Sequence, residues 1–231
     1  MTLAAFILQA MLALLYPGHC AGSRILLPAC DGECRTMWAT MTGRPPSRGF
    51  VFMRARWPGW SREETEVEGL ARWAGIAAGV GRVVANPPPA WKWPAEELAP
   101  LLVTIAMHES HFWRSVQEGR LRGPFGEWGL FQCHPRVPGC DKRMTGLDVD
   151  SVERAARFAT EQLSRARALA EREPCERFWW LPSTLTVYAV GHRSCKGFVT
   201  LDERLSSWAQ VTDKRRYPLP FGALFALDEV R

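Results

Sequence analysis

Apolar residues recur at helical spacing in four separate stretches of this chain. Ser61-Arg62-Glu63-Glu64 reads as a capping box, with Ser61 as N-cap and Glu64 at the third helical position. The helix it opens runs through Val67, Leu70, Ala71 and Trp73 towards Val84, and Asn86-Pro87-Pro88-Pro89 stops it. Trp93-Pro94 opens the second, with Pro100 in its first turn or kinking it, and Leu101 to Met107 carry it to about His108 or Glu109. Asp150 with Glu153 predicts a third start, after which Val152, Ala155, Ala156, Ala159, Leu163, Ala166 and Leu169 keep the period. Ser183 predicts the cap of a shorter helix through Leu185 and Tyr188 that ends at Gly191. Strand signals are few, so the fold expected is mainly α, with room for a small β-hairpin within residues 120–133. Residues 114–147 hold six glycines and three prolines without a steady period. An irregular stretch of that length inside a compact domain is a functional loop or a disordered one.

The two ends of the chain read differently. Leu3 to Tyr16 is an uncharged apolar run of signal-peptide length, short for a membrane span. Ala21, Gly22 and Ser23 follow, so residues 1–23 are expected to be a leader cleaved after Ser23; the other reading is an uncleaved helix packed on the domain. Membrane association is expected only through such an uncleaved segment. Residues 24–62 read as an irregular extension and 63–231 as one domain. Cleavage that removes Cys20 leaves Cys30, Cys34, Cys133, Cys140, Cys175 and Cys195, an even set that suits disulfides in an exported chain. Pairings Cys133–Cys140 and Cys175–Cys195 would each staple a loop beside a motif, leaving Cys30 with Cys34. His134 adjoins Cys133, but the chain has no Cys-x-x-Cys, so no metal site is expected. The net charge of +5 suits an anionic polymer. The positive charges are scattered, with no stripe or motif for nucleic acid.

The candidate chemistry centres on Glu109. It ends an apolar helix pattern, where burial disfavours a charged carboxylate and the helix terminus adds partial negative charge. Such an acid suits leaving-group protonation at a glycosidic bond. His108 and His111 flank it without forming His-Glu-x-x-His, since Phe112 stands where the second His would be. Glu109-Ser110, then Gly126-Glu127-Trp128-Gly129-Leu130-Phe131-Gln132, then Tyr188-Ala189-Val190-Gly191 follow in order. This series resembles the soluble lytic transglycosylases, among the lysozyme-like muramidases, over roughly residues 95 to 200.

That family carries Glu-Ser, Gly-Ala-x-Gly-Leu-Met-Gln and Ala-Tyr-Asn-Ala-Gly in this order. Glu127 stands for its Ala, Phe131 for its Met, and Ala189-Val190 for its Asn-Ala, while Gly123-Pro124-Phe125 lacks its Ser. The resemblance implies a lysozyme-like α domain, peptidoglycan glycan strands as substrate, no cofactor, and Glu109 as the single acid/base. It implies substrate contacts from Ser110, Glu127, Trp128, Gln132 and Tyr188, with His192 a candidate to replace the missing Asn. Cleavage of the MurNAc-β-1,4-GlcNAc bond would leave 1,6-anhydro ends. Two alternatives stand beside it. One is a goose-type-like muramidase with Glu127 as first candidate for the base; the other is a non-catalytic wall-binding part of a secretion or phage-like apparatus. All three place the protein outside the cytoplasm, periplasmic or secreted.

Overall fold

The computed structural model describes residues 4, 7, 11, 64, 66–175, 180–192, 195 and 200–212. The fold is mainly α, and the described residues include no sheet. Helices are α1 (Glu66–Ala85), α2 (Ala95–Ser110), the single turn α3 (Arg114–Gln117), α4 (Val149–Arg172), α5 (Trp180–Val190) and α6 (Leu201–Thr212). A 3-10 turn covers Lys142–Met144.

Helix α2 is the buried centre. Leu98, Leu101, Leu102, Val103, Ile105 and Ala106 are all sealed from solvent, as expected for a helix apolar on every side. It passes through Pro100 in its second turn. Packed against it are α1, α4 and α6, while α4 also lies along α1 and α5. Along α4 Val152, Ala155, Ala156, Ala159, Leu163 and Ala166 of the predicted stripe are buried, and Leu169 at its end is half-buried. A Cβ at Gly79 would stand 2.6 Å from Val152 Cγ1, so α1 approaches α4 this closely because residue 79 is glycine. Farther along α4, the Arg167 guanidinium lies 4.0 Å from the ring centre of Trp180 and 4.6 Å from that of Trp93. It also pairs with Glu97 and Glu171. This one side chain bolts α4 to the starts of α2 and α5.

Several predicted boundaries move. Helix α1 begins at Glu66, so Glu64 precedes it; its carboxylate pairs with Arg72 instead of closing a capping box. Ser61 lies outside the described residues. The cap of α4 is Asp148, which accepts from the Ser151 N–H at 2.8 Å, and Asp150 in the first turn pairs with Arg82. Ser183 is interior to α5, which runs from Trp180 and ends with Gly191 at φ +74°. In place of a hairpin there is one antiparallel bridge, Trp128 with Cys133. Cys133–Cys140 and Cys175–Cys195 are disulfides, as expected, while Cys30 and Cys34 lie outside the described residues. From the apolar N-terminal run, Ile7 and Met11 are helical and fully buried in the core. Ile7 Cδ1 lies 3.8 Å from where a Cβ on Gly81 of α1 would sit. Among the described residues no helix is long and apolar enough to cross a membrane.

Candidate active site

Glu109 sits in the last turn of α2, its side chain 19% exposed. The chain then leaves the helix through two consecutive residues in the left-handed region, His111 at φ +48° and Phe112 at φ +55°. Such a conformation is a genuine outlier for a bulky residue like Phe and costs about 1–3 kcal/mol per residue. Local hydrogen bonds hold it. The His111 N–H donates to the Met107 carbonyl at 2.8 Å, and the Trp113 N–H to that of Ser110 at 2.9 Å. Ser110 is buried; its hydroxyl donates to the Ala106 carbonyl at 2.7 Å and accepts from the Phe112 N–H at 3.2 Å. The serine of the Glu-Ser pair therefore shapes the turn and is buried against its backbone.

The closest partner of Glu109 was not foreseen. Arg204 of α6, itself buried, places Nη2 2.8 Å from Glu109 Oε1. Next to this pair, His108 Nε2 lies 2.9 Å from Ser207 Oγ. Burial, then the Arg204 charge, then His111 lower the His108 pKa to about 4, so its imidazole is neutral at physiological pH. His111 is also lowered, chiefly by burial, with Glu109 and Glu203 opposing. The signal for α6 in the sequence was slight: Asp202 and Glu203 in a first turn, without a long apolar stripe.

The third motif meets the first at this point. The Tyr188 phenol is pushed above its usual range by burial first and by the negative charge of Glu109 second, with Arg204 opposing, so it stays protonated. Its hydroxyl donates to the Phe131 carbonyl at 3.4 Å, which joins the second motif to the other two.

The glycine-rich segment forms a tight loop. Trp128 and Cys133 exchange backbone hydrogen bonds of 3.1 and 2.8 Å, with Gly129 (φ +75°) and Gln132 (φ +47°) turning the chain between them. Gln132 Nε2 donates to the Gly129 carbonyl at 3.2 Å. Glu127 Oε2 accepts from the Phe125 N–H at 2.9 Å. A Cβ at Gly123 would stand 2.5 Å from both Gln132 Oε1 and Glu127 Oε2, so both side chains fold over that glycine. Trp128 is partly buried, with the Arg122 guanidinium 5.2 Å from its ring centre. His192 is exposed and its Nδ1 lies 3.0 Å from the Val190 carbonyl oxygen. The structure thus brings Glu109, Tyr188 and the Phe131–Gln132 loop together, adds Arg204, and turns Ser110 inward. Cys133 is held in its disulfide, so its sulfur is not available to a metal beside His134.

No known protein family, characterised protein or solved structure matches the chain. The likeness to the lytic transglycosylases therefore rests on the motif residues themselves.

Proposed function

We propose that the protein is an exported peptidoglycan lytic transglycosylase, with Glu109 as its single acid/base. The observation that carries this reading is the meeting of three motifs far apart in sequence. Glu109 acts electrostatically on Tyr188, and Tyr188 bonds to the loop that ends in Gln132. In the first half of the reaction, protonated Glu109 gives its proton to the glycosidic oxygen as the C1–O bond breaks. The substrate N-acetyl group supports C1. In the second half, the resulting carboxylate takes the proton of the MurNAc 6-hydroxyl as that oxygen closes on C1. No water is consumed, and Glu109 ends protonated as it began.

Arg204 acts on one half of this cycle. Its guanidinium pairs with the carboxylate form, the species between the two proton transfers, and works against the protonated form that opens the reaction. Glu127, the carboxylate a hydrolytic mechanism would use on water, accepts the Phe125 N–H within its own loop. The two disulfides suit an oxidising, exported setting. Glu109→Gln keeps the size and polarity of the side chain and removes the proton it must transfer. Release of soluble muropeptides from purified peptidoglycan should fall by about a hundred- to ten-thousandfold, with the helical circular dichroism unchanged. Release that survives the substitution removes Glu109 from the mechanism.

A further inference from the structure

The turn that delivers Glu109 is held from a distance by a buried charge. Arg72, on α1, is almost fully buried, as is Glu64. Its Nε and Nη2 donate to the two carboxylate oxygens of Glu64 at 3.0 and 2.7 Å. Its Nη1 donates to the carbonyl of Phe112 at 2.7 Å and to Gln117 Oε1 at 3.1 Å. Gln117 in turn exchanges hydrogen bonds with Gly146, from Nε2 to the Gly146 carbonyl at 3.0 Å and from the Gly146 N–H to its own carbonyl at 3.2 Å. The Phe112 carbonyl closes the second of the two left-handed residues, three positions after Glu109. One guanidinium therefore ties the strained turn to α1, to α3 and to the start of the loop before α4.

The physics gives the arrangement a direction. A buried guanidinium needs a paired carboxylate and satisfied N–H groups, and Glu64 and Gln117 provide them. The carbonyl of a residue in an unfavourable conformation is the remaining acceptor, so the fork holds the backbone where it would otherwise relax. Lysine cannot reproduce it, because an ammonium is a point donor without the planar fork. We propose that Arg72, with Glu64, is a positioning residue that fixes the carboxyl of Glu109 by clamping the His111–Phe112 turn.

The catalytic half of this proposal rests on the lytic reading of Glu109; the clamp itself does not. The test compares the full chain with Arg72→Lys and with the double variant Arg72→Lys/His111→Gly. Glycine at 111 relieves part of the strain, since left-handed backbone costs it nothing. In Arg72→Lys, kcat on purified peptidoglycan strands should drop about 10- to 100-fold with KM within about threefold. The amides of His111, Phe112 and Trp113 should exchange about tenfold faster while those of the α2 centre keep their protection. Glycine at 111 should restore most of the lost kcat. Because relief of strain also stabilises the fold, kcat is compared under conditions where urea unfolding shows every variant fully folded, so that a loss of folded protein does not enter it. Unchanged amide exchange at residues 111–113 in Arg72→Lys overturns the clamp. Faster exchange without any loss of kcat, or a loss that glycine at 111 leaves in place, overturns the positioning role. A wild-type chain that releases no muropeptides overturns the lytic reading alone, and the amide arm still decides the clamp.

Discussion

His108 carries a consequence for stability that follows chiefly from its burial. Unfolded, the His108 imidazole titrates near its ordinary value of 6.5; folded, its pKa is lowered to about 4 by burial, Arg204 and His111. Above pH 6.5 both states are neutral and the group contributes no pH dependence. Between pH 6.5 and 4 the unfolded chain takes up a proton that the folded one refuses, so stability falls as pH falls. Urea unfolding should show a loss of roughly 1–2 kcal/mol between pH 7 and pH 5. His108→Gln should flatten most of that slope, leaving the smaller part from His111, whose pKa is lowered in the same direction. A slope unchanged by the substitution would place the titrating group elsewhere. At this scale Glu109 was legible, because a lone carboxyl closing an apolar run is conspicuous. Arg72 and Arg204 were not. A lone Arg within a helical pattern looks like part of a solvated face, and only the fold shows that Glu64 and Glu109 wait for them.

At the scale of elements, the disulfides decide how firmly the site is assembled. Cys175 lies three residues beyond α4, and Cys195 lies in the segment that leads to α6, which carries Arg204. The bridge spans a sequence separation of 20 and includes all of α5 with Tyr188. In the chain-entropy description a loop of that length stabilises by about 3 kcal/mol. Cys175→Ser/Cys195→Ser should lose about that much in urea unfolding, and the wild type under reductant should lose at least as much, since Cys133–Cys140 opens as well. An unchanged midpoint in both would show that α6 is held by packing alone. The helices themselves were readable because α4 keeps its apolar period over many turns and α2 is a nearly unbroken apolar run. Their starts were less so: Asp150 reads as the cap of α4 because Glu153 follows it at the capping-box spacing. The choice falls to Asp148, the carboxylate that reaches the Ser151 N–H and hydroxyl. The glycine-rich loop was read as a functional segment, but its shape was not. Positive φ at Gln132 and the folding of Glu127 over Gly123 are tertiary outcomes with no periodic signature.

For the molecule as a whole, the central claim is that one carboxyl, returned to its starting state by its own substrate, cleaves a glycan without water. In support of it, the fold buries α2 on all sides and lets its last turn emerge between α6 and the Tyr188 end of α5. Mass spectrometry of the fragments from purified peptidoglycan, digested by the wild-type chain, tests the claim most directly. The expected fragments carry 1,6-anhydro-MurNAc ends, lighter by one water than the reducing ends a muramidase leaves. Reducing ends in their place would contradict intramolecular closure and make the protein a hydrolase. Binding to the polymer with no fragments released would contradict catalysis altogether.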